Sequence, residues 1–252
     1  MTRAAGTLIL LRHGQSEANV AGVFGGWADY RLTPRGEEQA VGAARLIAQA
    51  GLLPDVVHTS LLHRSIRTAQ IVLDGLGRSW IPVRRAWRLN ERQYGALTGR
   101  GKQETRHAAG AERYESWRRS LHRRPPPLPE DRLALLRADP RYAPLPGDAL
   151  PAVESFSDVV ARVLPYWADV VAADLFQGRS VLVVAHGNSL RALVALLDDL
   201  DEPAIRALNI PTAEPLLYTR GPDLRPSPRG GRYLAPDRAR TAAQAVAAEG
   251  HA

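Results

Sequence analysis

The sequence predicts an α/β protein: a three-layer α/β/α arrangement in which helices cover both faces of a mostly parallel central sheet. Two observations carry this. First, apolar strand-like runs alternate with helix-like segments in the order β, α, β, α, β over residues 7–83. Crossovers of that kind make successive strands parallel and place helices on the sheet faces. Second, Ser180–Ala185 (SVLVVA) is apolar almost throughout, as a strand buried on both faces must be.

The elements follow in order. Thr7–Leu11 reads as a buried strand. A glycine-rich, irregular stretch, Ala21 to Leu32, comes next. Thr33-Pro34 has the form of an N-cap with proline at the first helical position, and its helix runs to Gly51. Asp55–Thr59 is a second strand; Ser60 caps the helix that ends near Gly77; Trp80–Val83 is a third, short strand. Arg84 to Gly101 is polar and turn-rich, Lys102 to Leu121 helical, and Arg123 to Pro151 so dense in proline that a long ordered loop is expected. Val153 to Phe176 reads as an amphipathic helix kinked at Pro165, and a further helix follows the 180–185 strand. From Gly221 the tail is rich in Arg, Pro and Gly and closes on an Ala-rich segment. The chain, residues 1–252, reads as one domain with an insertion at about 102–151 and a tail from about 221.

Composition removes several classes of function. There is no cysteine, so disulfide frameworks, thiolate metal sites and cysteine nucleophiles are excluded. The apolar run before Arg12 is too short for a signal peptide, and no stretch approaches the ~20 residues of a membrane span; a cytoplasmic chain with no membrane partner is expected. The formal net charge is +7, which suits a polyanionic partner. No helix-turn-helix, zinc or RNA-binding signature accompanies the basic run WRRSLHRR, so nucleic acid is not the expected one. Lys102 is the only lysine, a hint that this position needs a compact ammonium.

Two apolar strands end in His-Gly: His13-Gly14 and His186-Gly187. Ligands of open α/β sheets bind beyond the carboxyl ends of the strands, so neighbouring strands would bring both imidazoles to one pocket. No third ligand stands at metal spacing, and a metal site is not expected. Arg12 adjoins His13, and Arg64 falls in the first turn of a helix, where N–H groups and a cation meet an anion. Imidazole is a competent nucleophile toward phosphorus. The residues therefore point to phosphoryl transfer through a phosphohistidine.

The ordered series LLRHGQSEAN, GGWADYRLTPRGEEQA, TSLLHRSIRTA, WRLNERQYGALTGRGKQET, VVAHGNSLRALV and LNIPT resembles the histidine phosphatase superfamily, and within it the 2,3-bisphosphoglycerate-dependent phosphoglycerate mutase branch. The resemblance implies that family's fold and the interconversion of 3-phosphoglycerate and 2-phosphoglycerate, with 2,3-bisphosphoglycerate as primer and intermediate and without metal. The alternative on the same fold is a phosphatase or mutase of another phosphorylated metabolite. It implies His13 as the phosphorylated nucleophile, Arg12 and Arg64 as the phosphoryl clamp, His186 as stabiliser of the transition state of the transferring group, and Glu91 as general acid and base. Substrate-binding roles fall to Gln15, Ser16, Asn19, Gly25, Gly26, Arg92, Tyr94, Lys102, Arg118, Arg119, Gly187 and Asn188. It also implies a small phosphorylated acid as substrate and a homodimer or homotetramer. The chain departs from the family pattern at Gly25 (usually a hydroxyl residue), Gln93 (usually histidine), Gln15 (usually glutamate) and Ala18 (usually larger). The family's glycine after Ile-Pro-Thr is replaced in IPTAEP.

Overall fold

In a computed structural model, residues 6–220 and 226–248 are described. The strands are β1 (Leu8–Arg12), β2 (Val56–Thr59), β3 (Val83–Arg85), β4 (Val181–Ala185), β5 (Leu216–Arg220) and β6 (Pro226–Tyr233). They form one sheet in the order β3-β2-β4-β1-β5-β6. The first four run parallel; β5 and β6 close one side antiparallel. The predicted fold class is borne out.

Period-two alternation in the buried strands creates two cores. Leu8, Leu10, Val181 and Val183 face one side, and Ile9, Leu11, Leu182 and Val184 the other. The second side is covered by α2 (Pro34–Gln49) and α3 (His63–Gly75), which follow the short α1 (Glu17–Val20). These two helices pack closely because their contact is built from small residues: a Cβ on Gly75 would lie 2.8 Å from the Ala44 Cβ. The first side is covered by helices later in the chain. After α4 (Lys102–Ala109), α5 (Ala111–Arg119) and α6 (Glu130–Ala138) come α7 (Phe156–Tyr166), a π-helical turn (Trp167–Val171), α8 (Ala172–Phe176) and α9 (Gly187–Asp198). The chain is completed by α10 (Glu202–Ala207) and α11 (Pro236–Ala248). No helix among the described residues is long and apolar enough to cross a membrane.

Several element boundaries differ from expectation for local reasons. The third strand lies at Val83–Arg85, after Pro82, where the chain can pair with β2 without a proline in the ladder. Leu62, not Ser60, occupies the N-cap of α3. The predicted helix over 102–121 is broken at Gly110, whose φ of +82° separates α4 from α5. The proline-dense loop contains the helix α6. The helix expected from Val153 begins at Phe156, where Ser155 and Asp158 form a capping box. It does not stop at Pro165; the π-helical turn that follows takes up the irregularity. The Ala-rich tail is α11, and only part of the predicted tail, residues 221–225 and 249–252, lies outside the described residues.

Candidate active site

The register Arg12↔Ala185 sets β1 and β4 level at their carboxyl ends, so the next residue on each, His13 and His186, emerges at the same height. Their ring centroids are 5.0 Å apart. Both are buried. The chain after His13 can turn because Gly14 meets Gly36 directly: a Cβ on Gly14 would lie 2.2 Å from the Gly36 carbonyl oxygen. His13 Nδ1 lies 2.7 Å from the Gly14 carbonyl oxygen. A carbonyl only accepts, so Nδ1 carries the proton and Nε2 keeps its lone pair. His186 Nε2 is hydrogen-bonded to the Ser60 hydroxyl at 2.8 Å, and its Nδ1 is buried without a partner. The same hydroxyl accepts from the Leu62 N–H at 3.1 Å, so Ser60 serves both His186 and the entrance to α3, although Leu62 holds the N-cap position.

Burial, reinforced by the Arg64 and Arg12 guanidiniums, holds the His13 imidazole well below its ordinary pKa. Burial, then Arg64, His13 and Arg12, do the same to His186. Burial and the neighbouring cations thus favour the neutral form of both rings in the free site.

The clamp is rigid. Arg64, in the first turn of α3, donates to the carbonyls of Ala28 and Gly26, each at 2.9 Å, and burial lowers it to about 10. Arg12 donates to the Ile210 carbonyl at 2.8 Å, while its Nε is buried without a partner. Ser16 donates to Asn19 Oδ1 at 2.8 Å, which fixes that amide at the rim of the cleft.

Across the cleft stands Glu91. Its Oε1 accepts from the Arg92 N–H (2.7 Å), the Asn188 N–H (3.1 Å) and Asn188 Nδ2 (3.0 Å). Its backbone carbonyl is held by Trp27 Nε1 and by Arg162 Nη2. Asn188 belongs to the first turn of α9, so the second His-Gly strand positions both His186 and the carboxylate. Tyr94 accepts from Asn188 Nδ2 at 2.9 Å, and burial raises its phenol above the ordinary range. Arg119 donates to Asn209 Oδ1 at 3.1 Å and lies beside Arg118.

One cleft gathers Arg12, His13, Ser16, Asn19, Gly25, Gly26 and Arg64 with Glu91, Tyr94, Lys102, Arg118, Arg119, Gly187 and Asn188. His186 is buried beside His13 and is not itself in the cleft lining. Two expected residues are not brought to it. The Gln15 amide turns away to accept from the Thr33 hydroxyl at 2.9 Å. The Arg92 guanidinium is buried against the carbonyls of Glu154, Trp117 and Arg123, where it braces the Glu91 loop instead of facing a ligand. Sequence reasoning missed Ser60, Arg191, Asn209, Ile210 and Val246, which contact His186 or line the cleft. Arg191 had a signal: it lies three residues after Asn188, one helical turn on. Val246 belongs to the distant α11 and had none.

The arrangement suits an anion with more than one charged end. Arginine and lysine side chains surround the cleft, and Glu91 is the only carboxylate among the described lining residues. It is equipped for nucleophilic phosphoryl transfer with one proton carrier.

The histidine phosphatase superfamily (branch 1) profile matches residues 8–139 and 129–220. A 2,3-bisphosphoglycerate-dependent phosphoglycerate mutase of Thermobifida fusca is 54% identical over 97% of this chain and 99% of its own. That of Streptomyces griseus is 52% identical over 99% of each. A mycobacterial glucosyl-3-phosphoglycerate phosphatase structure, 27% identical, covers 91% of this chain and 96% of its own with a TM-score of 0.67. The α-ribazole phosphatase of Shigella flexneri, 23% identical with a TM-score of 0.66, covers 90% of this chain and 95% of its own and shares the fold. Shared fold, paired histidines and identity over nearly the full chain lead to one conclusion: the chain belongs to the histidine phosphatase superfamily, in its 2,3-bisphosphoglycerate-dependent phosphoglycerate mutase family.

Proposed function

We propose that this enzyme interconverts 3-phosphoglycerate and 2-phosphoglycerate through a phosphohistidine at His13. The observation that carries the reading is His13, its Nδ1 bonded to a carbonyl so that Nε2 keeps its lone pair, 5.0 Å from His186 beside Arg12 and Arg64, with one carboxylate in the same cleft. Starting from phosphorylated His13, the free hydroxyl of 3-phosphoglycerate attacks phosphorus, the P–N bond breaks, and Glu91 takes the hydroxyl proton. In the return step His13 Nε2 attacks the other phosphoryl group. The P–O bond breaks, and Glu91 returns its proton to the departing oxygen. Arg12 and Arg64 hold the transferring group. His186, neutral in the free site, gains a proton more readily when a dianion stands beside it.

2,3-Bisphosphoglycerate supplies the phosphoryl group that primes His13. The residues fit it: Arg12 and Arg64 at the histidines serve one phosphate, and Lys102, Arg118 and Arg119 serve the second phosphate and the carboxylate. Ser16, Asn19, Gly25, Gly26, Tyr94, Gly187 and Asn188 complete the binding surface, with Arg92 and Gln15 acting from behind it. The reading includes a cytoplasmic homodimer or homotetramer, which light scattering on the purified protein tests.

Steady-state assay with 3-phosphoglycerate, with and without catalytic bisphosphate, is the direct test. Isomerisation that requires priming is expected; phosphate release without isomerisation overturns the mutase reading in favour of a phosphatase. His13→Ala is expected to abolish turnover and the acid-labile phosphoprotein. Glu91→Gln is expected to keep phosphorylation by p-nitrophenyl phosphate, whose leaving group needs no proton, while transfer to a hydroxyl slows at least ~100-fold. Near-normal mutase rates in Glu91→Gln would remove Glu91 from its role.

A further inference from the structure

Arg191 lies on α9, one turn after Asn188, and is 7% exposed. Its hydrogen bonds go to neutral groups. Nη1 donates to Asn188 Oδ1 at 3.0 Å and Nη2 to the Ile205 carbonyl at 2.6 Å. Its Cζ stands 4.9 Å from the centre of the Phe156 ring, and its Nε is buried without a partner. Burying a guanidinium against neutral partners is costly, and an apolar side chain packed on Phe156 would avoid that cost. A purely structural role does not account for the cation.

The amide of Asn188 does. An asparagine amide presents oxygen on one side and N–H groups on the other, and nothing in its shape decides which faces which way. A guanidinium only donates. With Arg191 on one side, Asn188 must turn its oxygen there and both Nδ2 hydrogens toward Glu91 Oε1 (3.0 Å) and Tyr94 (2.9 Å). The opposite orientation would set the amide oxygen against the Glu91 carboxylate. We propose that Arg191 is a positioning residue for proton transfer, locking the Asn188 amide in the orientation that donates to Glu91. The inference rests on Glu91 as proton carrier in the reading above. Arg191 also lines the cleft, so direct ligand binding is the competing role, and a raised KM for 3-phosphoglycerate in Arg191→Met would reveal it.

The test uses the full-length protein and two half-reactions followed by rapid quench. One is phosphorylation of His13 by p-nitrophenyl phosphate, which needs no proton carrier. The other is transfer from phosphorylated His13 to 3-phosphoglycerate, which needs one. In Arg191→Met, transfer is expected to fall at least tenfold, with KM for 3-phosphoglycerate and the first half-reaction each within twofold of wild type. Arg191→Lys, which restores a donor, is expected to recover part of the loss, and it reads the same ratio if Arg191→Met does not fold. In a Glu91→Gln background, Arg191→Met is expected to cost nothing further. Equal loss in both half-reactions, a raised KM at unchanged transfer rate, or additive effects with Glu91→Gln would overturn the inference. Failure of the wild-type protein itself to transfer to 3-phosphoglycerate would overturn the proposed function, and this inference with it.

Discussion

Ala213 holds a φ of +54°, a conformation that costs a residue with a Cβ about 1–2 kcal/mol. It stands where the family pattern has glycine, and its N–H donates to the Arg12 carbonyl at 2.9 Å, so the strain sits beside the clamp. Ala213→Gly relieves it but gives the unfolded chain more freedom. A net gain of roughly 0.5 kcal/mol is expected, read as a rise in Tm of about 1–2 °C. Gly25 offers the converse case. A Cβ there would lie 3.4 Å from the Ala18 Cβ and 3.9 Å from Arg64 Nη2, so a serine fits and its hydroxyl reaches the phosphoryl side of the clamp. One added hydrogen bond, about 1 kcal/mol, predicts a KM roughly fivefold lower for Gly25→Ser in the mutase assay; an unchanged or higher KM would show that the hydroxyl meets no phosphate. Another departure, Gln93, is structural here: its amide accepts from Thr98 Oγ1 at 3.1 Å and it does not line the cleft. At this scale the sequence was informative where chemistry restricts residue type, as at His13, Arg64 and Glu91. It was misleading at Arg92, because a guanidinium that braces a loop through carbonyls reads the same as one that binds an anion.

Among the elements, α11 has the least predictable role, since it packs at the cleft with Val246 in the lining. It is tied down by Arg238, which donates to the buried Glu214 Oε1 through Nη2 (2.8 Å) and Nε (3.2 Å). Glu214 is pushed above the ordinary carboxylate range by burial. Arg238→Ala is expected to loosen this helix, raising KM several-fold and exposing the tail to limited proteolysis, with little change in Tm. Helices whose ends carry recognisable caps were legible, α2 with Thr33 and Pro34 above all. So were β1, β2 and β4, apolar because both faces are buried. The antiparallel β5 and β6 were not recognised; β6 was hidden because a sheet edge tolerates Arg, Pro and Gly, and β5 is a short run, Leu216–Arg220, directly before it. α6 was hidden by the prolines around it.

Over the whole molecule, three buried histidines couple folding to pH. His13 and His186 are held well below their ordinary pKa, and His58, buried beside Asp174, is lowered to about 4. The unfolded chain therefore takes up protons first as pH falls below about 6.5, so stability is full above that pH and declines below it. Each histidine contributes at most about 1.4 kcal/mol per pH unit. Urea unfolding is expected to show a steep loss of stability from pH 6.5 to 5, and His58→Gln is expected to reduce that slope by about a third; an unchanged slope would show that His58 takes up its proton without unfolding. The order of the sheet carries a consequence for biosynthesis. β1 leaves the ribosome well before either of its two neighbours, β4 and β5, has been made. Until Val181 and the residues beyond it have emerged, Leu8–Leu11 has no partner, and the nascent chain must keep an apolar ribbon from pairing wrongly. The reactive pair of imidazoles thus comes into being late in synthesis, and a chain released before Ala185 is made has no partner for His13.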